Sequence, residues 1–201
     1  MEFSEIEYLH FITNIDNIPS ILEKGILSHN RIRAQRIRPQ QIDDPKVQEI
    51  RDNITLPNGT HLHDHANLYF NPRNAMMYKR KSWHKDLCVL RVAPKIMNTT
   101  GVMVTDMNAS SDWRNFYSTK ELWKLDSSLI FLRDWNHDHY PTYLRRKSSV
   151  CAEVLVPNCV PPSLISGICV SCIESYERII ELLDGHNICD NVCINSDMFF
   201  R

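Results

Sequence analysis

Short apolar runs, separated by polar and turn-forming residues, recur along the chain and predict β-strands. They are residues 6–12, NLYF, LCVLRV, GVMVTD, CAEVLVP and LISGICVSCI. Segments with helical patterns interrupt these runs at irregular intervals. This order favours an α+β fold over a repeating βαβ chain, in which helices and strands alternate regularly.

Capping signals mark the ends of two predicted helices. The first begins at Asp16 or Asn17, accommodates Pro19 in its first turn and ends at Gly25. The second, PKVQEIRDN, follows an aspartate, begins with proline and carries Arg51. The remaining helical patterns are NAMMYKRK and ESYERIIELLDG, which ends near Gly185. The basic stretch between the first two helices is interpreted as a loop.

The composition is that of a globular protein. The chain has 201 residues, of which 43% are hydrophobic and 23% charged, and no shift in composition marks a linker. No apolar run approaches the ~20 residues that a membrane-spanning helix needs. The first residues, MEFSEIEYLH, lack the basic start and apolar middle of a secretory signal. We therefore expect a single domain over residues 1–201, no membrane partner and a cytoplasmic location.

The seven cysteines are odd in number and scattered, which favours reduced thiols over a disulfide framework. Four of them have zinc-like spacing, C-x2-C followed by C-x3-C, and these are Cys169, Cys172, Cys189 and Cys193. However, positions three apart on an extended run point to opposite faces, and no glycine-rich turn follows the first pair. Buried thiols that act as small hydrophobes are therefore favoured over a zinc site.

Basic residues are clustered, although the formal net charge is only −1. NRIRAQRIRPQQ contains Arg31, Arg33, Arg36 and Arg38, and YLRRKS contains Arg145, Arg146 and Lys147. YLRRKS and a third cluster, YKRKSWHK, place cations beside aromatic residues. Cations that pair with phosphates and rings that stack on bases are typical of proteins that bind single strands. Solvated surface segments are the alternative interpretation.

Several common active-site motifs do not occur. The five glycines are too dispersed for G-x-G-x-x-G or a P-loop, and neither G-x-S-x-G nor H-E-x-x-H occurs. Two His-Asp-His triplets, at residues 63–65 and 137–139, suit a divalent metal in a phosphohydrolase. Because neighbouring residues on an extended segment alternate faces, each triplet offers only two ligands to one ion. A metal hydrolase is therefore a less favoured alternative.

Two polar residues stand alone within predicted strands. His10 and Glu153 both have apolar neighbours in the sequence. A carboxylate in such a position must be partnered or used in catalysis, because burying an unpaired charge is costly. The alternatives are a solvent-facing glutamate on an edge strand and a hydrogen-bonded histidine in the core.

Five segments, taken in order, resemble the DarT family of NAD-dependent ADP-ribosyltransferases, which modify bases in single-stranded DNA. They are HFITNIDNIPSILEKGIL, VQEIRDN, HLHDHANLYFNPRNAMMY, CAEVLVPNCVP and VCINSDMFF, and they run through nearly the whole chain. The resemblance implies the ADP-ribosyltransferase fold, a split β-sandwich of two small sheets with peripheral helices. It also implies NAD+ as co-substrate, bound in a cleft between the sheets, and no metal.

The resemblance implies roles for individual residues. His10 would hydrogen-bond the adenosine-side ribose. Glu153 would engage the nicotinamide ribose 2′-hydroxyl and stabilise the positive charge that builds as nicotinamide leaves. Tyr69 would pack against the nicotinamide, with Met76 and Tyr78 as candidates for the same wall.

Two further residues complete the implied site. Asn17 would hold the nicotinamide amide or its ribose, and Arg51 would contact NAD phosphate and the acceptor base. Since a guanidinium cannot readily act as a base, Arg51 would stabilise the deprotonated nucleobase electrostatically. The basic loop at residues 30–38 would cover NAD and steer the strand.

The implied partners are single-stranded DNA and a DarG-like antitoxin, a macrodomain protein that removes ADP-ribose. The chain would then be the toxin of a toxin–antitoxin pair. Where the thymidine-modifying branch tends to read HDYVPFYF, this chain reads HDHANLYF, which favours the guanine-modifying branch. The alternatives are an RNA acceptor, a metal-dependent phosphohydrolase, and a nucleic-acid-binding module without catalysis.

Overall fold

The computed structural model describes residues 1–183 and 185–201. Its strands are β1 (Leu9–Asn14), β2 (Ile26–Leu27), β3 (His65–Tyr69), β4 (Leu87–Val92), β5 (Met103–Thr105), β6 (Phe116–Ser118), β7 (Glu153–Pro157), β8 (Cys159–Val160), β9 (Ile165–Val170) and β10 (Val192–Ile194). Its α-helices are α1 (Ile18–Lys24), α2 (His29–Ala34), α3 (Pro45–Asp52), α4 (Ala75–Lys79), α5 (Ser127–Ile130), α6 (Tyr140–Ser149) and α7 (Ile173–Leu182). Short 3₁₀ turns join several of these elements. The predicted α+β class is confirmed.

Most of the strands form one sheet with the order β10-β9-β4-β1-β3-β7-β5-β6. β1 pairs with β4 along its whole length, but within the described residues it pairs with β3 at one position, His10 opposite Tyr69. The sheet therefore consists of two four-stranded halves that meet at a single residue pair. This division corresponds to the predicted split between two small sheets. β2 and β8 form a separate antiparallel pair.

Apolar side chains pack on both faces of the sheet. On one face, Leu68 of β3 joins a cluster that includes Ile179 of α7. On the other face, Tyr69 of β3 joins a cluster that includes Met77 of α4. Because successive residues of a strand point to opposite faces, neighbouring positions of β3 reach different clusters.

α1 begins and ends where its capping signals predict. Asn17 is the N-cap residue, Pro19 lies in the first turn, and Gly25 is the C-cap residue with φ of 85°. A Cβ atom at Gly25 would lie 2.3 Å from the carbonyl oxygen of Val160, so the close approach of β8 also requires glycine. α3 likewise follows Asp44, whose side chain accepts a backbone hydrogen bond from the first turn.

The prediction of a basic loop at residues 30–38 is wrong for the first half of this segment, which belongs to α2. The Ser28 hydroxyl accepts a hydrogen bond from the Arg31 N–H at 3.3 Å and caps the start of this helix. Arginine and alanine favour the helical conformation, so a good cap is enough to start a helix here.

Other element boundaries also differ from prediction. β1 starts later than residue 6, because a 3₁₀ turn occupies Phe3–Glu5 and pairing with β4 starts at Leu9. LISGICVSCI is not one strand, since β9 ends at Val170 and α7 begins at Ile173. α7 matches the last predicted helix, ESYERIIELLDG. Residue 184 of that predicted segment lies outside the described residues. Within the described chain, no helix combines the length and apolar character needed to cross a membrane.

Candidate active site

The strand register places three polar side chains in one row. His10 of β1 lies opposite Tyr69 of β3, and Tyr69 lies opposite Glu153 of β7. Residues directly opposite each other in paired strands project from the same face of a sheet. The row therefore crosses the point at which the two halves of the sheet meet.

Glu153, the first residue of β7, is fully buried and hydrogen-bonded. Nη1 and Nη2 of Arg51 donate to its two carboxylate oxygens at 3.0 and 2.9 Å. The Ala109 N–H donates to Oε1 at 2.9 Å, and the N–H of Glu153 itself donates to Thr105 Oγ1 at 3.0 Å. β7 lies between β3 and β5, so the alternative of a solvent-facing glutamate on an edge strand is wrong.

Arg51 lies in the last turn of α3 and is 6% exposed. Burial lowers the pKa of its guanidinium, but the adjacent Glu153 carboxylate outweighs this effect and the pKa is raised overall. A planar guanidinium matches a carboxylate through two parallel hydrogen bonds. Arg51 and Glu153 therefore form a charged pair inside the protein.

His63 anchors the helix that carries Arg51. The imidazole is 3% exposed; its Nδ1 donates to the Asp52 carboxylate at 2.8 Å, and its Nε2 lies 3.0 Å from the Gln48 side-chain amide. Gln48 and Asp52 are four residues apart on α3 and therefore face the same side of the helix. Burial lowers the pKa of His63, and the ring stacks on His29 with centroids 4.6 Å apart.

His10 is held as a neutral ring. Its Nδ1 donates to the Phe70 carbonyl at 3.1 Å, and burial lowers the pKa of His10 to about 4. The Nε2 of this tautomer carries a lone pair and is a hydrogen-bond acceptor. Arg91 of β4 lies opposite His10 and places a cation beside the row. Sequence reasoning missed Arg91, although a lone charge within the apolar run LCVLRV was a usable signal.

Tyr69, Met76 and Tyr78 belong to one group of side chains. Tyr69 is 7% exposed, and burial raises the pKa of its phenol, which stays protonated. Met76 is partly buried against the same apolar cluster. The Tyr78 ring is 47% exposed and contacts Trp135 and Phe200 of this cluster edge-on. Tyr78 thus lies at the outer side of the cluster.

Asn17 binds the chain segment between α2 and α3. Its Nδ2 donates to Thr13 Oγ1 at 3.0 Å and to the Gln40 carbonyl at 2.9 Å, and its Oδ1 accepts from the Gln40 N–H at 2.8 Å. A side-chain amide that pairs with both main-chain groups of one residue mimics a strand pairing. The segment after α2 is therefore tied to the end of β1.

The predicted nucleic-acid-binding residues lie in two regions. Arg31 and Arg33 are on α2, Arg36 and Arg38 follow it, and Arg145, Arg146 and Lys147 are on α6. All of these side chains are exposed except that of Arg146, which is partly buried. Arg33 also lies 3.5 Å from the Asp52 carboxylate.

The first His-Asp-His triplet does not face a common point. His63 faces α3, Asp64 accepts a hydrogen bond from Asn30 at 2.7 Å, and the His65 Nδ1 donates to a carbonyl of its own turn at 3.0 Å. Residues 62–64 form a 3₁₀ turn rather than the expected extended segment. Across residues 1–183 and 185–201, no three His, Cys, Asp or Glu side chains are grouped as a metal site.

The four cysteines with zinc-like spacing are distributed over different contacts. Cys169 and Cys193 are paired across β9 and β10, with sulfur atoms 3.1 Å apart. Cys172 forms a hydrogen bond with the Ser175 hydroxyl at the start of α7, and Cys189 donates a hydrogen bond to the Leu183 carbonyl. Burial raises the pKa of the Cys169 thiol to about 12. All seven cysteines are free thiols, as their pattern predicts.

The fold matches those of solved DarT structures. Thermosipho africanus DarTG in complex with ADP-ribose has a TM-score of 0.83 and 34% identity, covering 96% of this chain and 51% of that chain. Thermus sp. 2.9 DarT in complex with ADP-ribosylated ssDNA has a TM-score of 0.81 and 24% identity, covering 98% of this chain and 97% of that chain. Because the Thermus sp. 2.9 protein is only 24% identical to this chain, its similarity shows the fold alone.

The sequence matches the same family. A "DNA ADP-ribosyl transferase-DNA ADP-ribosyl glycohydrolase fusion protein" of Thermosipho africanus (strain H17ap60334) is 36% identical over 189 residues, covering 92% of this chain and 48% of the relative. The chain thus spans about half the length of this curated relative. The family model described as "ssDNA thymidine ADP-ribosyltransferase, DarT" matches residues 10–200, a range that contains the whole row and Arg51. The match covers nearly the entire chain and confirms the resemblance: the protein belongs to the DarT family.

Proposed function

We propose that residues 1–201 form one transferase domain, which moves ADP-ribose from NAD+ to a nucleobase of single-stranded DNA. NAD+ supplies the ADP-ribosyl group, and nicotinamide is released. The observation that carries the proposal is the row of His10, Tyr69 and Glu153, with Arg51 bound at its end. A module that only binds nucleic acid has no need for a buried, ionised carboxylate held in this way.

The row offers groups that suit the parts of NAD+. The neutral His10 ring accepts a hydrogen bond from a ribose hydroxyl through Nε2. Tyr69, flanked by Met76, packs against the nicotinamide ring and excludes water. The Glu153 carboxylate accepts from the other ribose and stabilises the positive charge that develops as nicotinamide leaves. Arg51 holds this carboxylate in position through two hydrogen bonds, and a fixed negative charge stabilises a developing positive charge more effectively in a buried site than in water.

Substrate binding requires a rearrangement around Glu153, because its side chain is 0% exposed and held by Arg51 and the Ala109 N–H. An Arg51 guanidinium released from one carboxylate oxygen becomes available to a phosphate of NAD+ and to the acceptor base. There it stabilises the base as the base loses its proton to water and bonds to the ribose carbon from which nicotinamide departs. Asn17 is proposed to exchange its bonds to Gln40 for the nicotinamide amide or its ribose.

The acceptor is proposed to be a single strand that follows the exposed cations. These are Arg31, Arg33, Arg36 and Arg38 in one region and Arg145, Arg146 and Lys147 in the other. The base is guanine or thymine. Guanine is favoured because Asn67 stands where the thymidine-modifying branch has proline, on the strand face that carries Tyr69 and Glu153. Leu68 is the next position that differs from the thymidine-modifying branch. It lies in the core on the opposite face of the strand, so it does not affect the choice of base.

The partner is proposed to be a macrodomain antitoxin that removes the modification. The Thermosipho africanus relative is a fusion of a DNA ADP-ribosyl transferase with a DNA ADP-ribosyl glycohydrolase, which has the reverse activity. The transferase activity proposed for this chain would be opposed by the same glycohydrolase activity, whether the two activities lie on one chain or on two. Both would act in the cytoplasm, where NAD+ and DNA meet.

Mass spectrometry of oligonucleotides tests the proposal. Matched single-stranded DNA, double-stranded DNA and RNA, each with all four bases, are incubated with the protein and NAD+. We expect one ADP-ribose on single-stranded DNA, lost in Glu153→Ala and retained in Glu23→Ala, which changes an exposed glutamate. Fragmentation identifies the base. Unmodified strands contradict the proposal, modification of RNA alone changes the acceptor, and shortened strands support the metal hydrolase.

A further inference from the structure

Four aromatic side chains line a groove beside the candidate active site. The rings are Tyr78, Trp135, Tyr143 and Phe200, and Arg133, Asp134, Asn136 and Lys147 complete the lining. The cavity has a volume of about 190 Å³. Pockets for small molecules are usually larger, at roughly 300–1,000 Å³. The groove therefore suits one planar ring rather than a whole dinucleotide such as NAD+.

The rings of the groove are not stacked on one another, although the Arg73 guanidinium lies over one face of Phe200 at 3.8 Å and Tyr140 stacks on one face of Tyr143 at 6.2 Å. Tyr78, Trp135 and Phe200 meet edge-on, with centroids 5.1 to 5.9 Å apart. An edge-on contact leaves the face of one ring uncovered by the other. Trp135 is buried and forms the floor, whereas Tyr78 is 47% exposed. A base entering the groove can therefore stack on a ring face that Arg73 and Tyr140 leave uncovered.

The rim of the groove carries an excess of positive charge. Lys81 and Lys147 place their Nζ atoms 4.7 and 5.4 Å from the centroids of two of the tyrosine rings. Both lysines are exposed, and Arg133 adds a third cation against the single carboxylate of Asp134 in the lining. Aromatic rings beside cations are complementary to a ligand that has a planar ring and a negatively charged backbone. Nucleic acid has both features.

The groove adjoins the reacting end of the row. Tyr78 lies on α4, which follows β3 and its last residue Tyr69. Tyr143 lies on α6, and the chain runs from α6 into Glu153 at the start of β7. Trp135 shares the apolar cluster of Tyr69. The shared apolar cluster thus connects the groove to the row, and a strand bound along both would place a neighbouring nucleotide in the groove.

We propose that this groove binds, by stacking, a nucleobase next to the modified one, while Lys81 and Lys147 pair with adjacent phosphates. The proposal rests on the transferase function proposed above. It assigns Tyr78 to the DNA rather than to the nicotinamide wall. The base beside the target thereby contributes to affinity, and the strand is held at a second point while the target base meets the row.

The test compares Tyr143→Ala with Tyr143→Phe, which keeps the ring. Trp123→Ala is the matched control, because Trp123 is an exposed ring with Lys124 5.5 Å from its centroid and does not line the groove. Fluorescence anisotropy gives the Kd of single-stranded oligonucleotides, and steady-state transfer gives KM and kcat. We expect Tyr143→Ala to raise Kd and oligonucleotide KM about five- to 150-fold, the range of base–aromatic stacking. The KM for NAD+ should not change, and the other two variants should resemble the wild type.

An abasic nucleotide identifies the stacked base. Placed beside the target, it should weaken binding to the wild type but not to Tyr143→Ala, because the stacking contact is already lost. Lys147→Ala should lower the slope of log Kd against log salt by about 1. The proposal is overturned if the wild type modifies DNA while Tyr143→Ala and Lys147→Ala keep the wild-type Kd and oligonucleotide KM. A wild type that modifies no strand contradicts the transferase function instead, and the anisotropy data still decide whether the groove binds DNA.

Discussion

Two hydrogen bonds join the Arg51 guanidinium to the Glu153 carboxylate, although 102 residues separate them in the sequence. Arg51 lies in the last turn of α3, Glu153 begins β7, and both are buried. The pair therefore ties a peripheral helix to the centre of one half of the sheet. Its desolvation is offset only while both charges are present.

Removing one member of the pair should be more damaging than removing both. Arg51→Leu leaves an unpaired buried carboxylate and should lower the free energy of unfolding by about 3 to 5 kcal/mol. The double variant Arg51→Leu/Glu153→Leu should recover most of this loss. Urea titration of the single and double variants measures the coupling. Lys85→Leu, at an exposed ion pair, should change stability by less than about 1 kcal/mol. Additive losses in the double variant would contradict the interpretation.

His10 should make stability depend on pH in the acidic range. Burial lowers the pKa of His10 to about 4, whereas the unfolded chain titrates near the ordinary value of 6.5. Below pH 6.5 the unfolded state binds a proton that the folded state does not, so stability is complete above pH 6.5 and falls as the pH drops toward 4. A shift of this size corresponds to about 3 kcal/mol.

The His10 contribution is measured as a difference between variants. His10→Asn removes the titrating ring and should flatten the pH dependence of the unfolding free energy between pH 6.5 and 4. His137→Asn, at an exposed histidine, should keep the wild-type slope. Comparing variants is necessary because burial also lowers the pKa of His29, to about 4. An unchanged slope in His10→Asn would contradict a lowered pKa of His10 in the folded protein.

The polar residues of the site were recognisable in the sequence, but their arrangement was not. His10 and Glu153 stand out because each is a lone polar residue within an apolar run. Their alignment through Tyr69 depends on the register of strands far apart in the chain, which short-range periodicity does not determine. Likewise, nothing local shows that Arg51 reaches Glu153 or that Arg91 lies opposite His10.

The helices show the same limit. α1 and α3 were predicted because their caps and prolines act locally. The sequence pattern does not predict α2, although Ser28 is a good cap, because a dense run of arginines is also typical of a loop. α6, YPTYLRRKSS, has few apolar residues and depends on tertiary contacts at its end, where Ser149 and Val150 are buried.

Asn17→Ala should loosen the segment between α2 and α3 without unfolding the protein. The amide of Asn17 supplies both hydrogen bonds to the Gln40 main chain, and Gln40 itself is exposed. Native-state hydrogen exchange should therefore be faster at Gln40 in this variant, while core amides keep the global rate. Asn30→Ala, which removes a side-chain bond to Asp64 instead, serves as the control. Equal protection of Gln40 in wild type and Asn17→Ala would contradict a holding role for Asn17.

His63→Phe should weaken the attachment of α3 while keeping an aromatic ring against His29. The substitution removes the contacts of both ring nitrogens, with Asp52 and Gln48, at a side chain that is 3% exposed. Loss of part-buried hydrogen bonds of this kind costs about 1 kcal/mol. Because Arg51 is on the same helix, hydrogen exchange should accelerate along α3 before it does in the sheet.

A conservative variant separates the hydrogen bond from the charge of Asp52. Asp52→Asn keeps an oxygen that accepts from the His63 Nδ1–H, so it should retain most of the protection of α3 that His63→Phe loses. Asp52 has a half-exposed side chain, and its charge is therefore screened. If Asp52→Asn accelerates exchange as much as His63→Phe, the charge of Asp52 holds the helix. If neither variant changes exchange in α3, the helix that positions Arg51 is held by its other contacts.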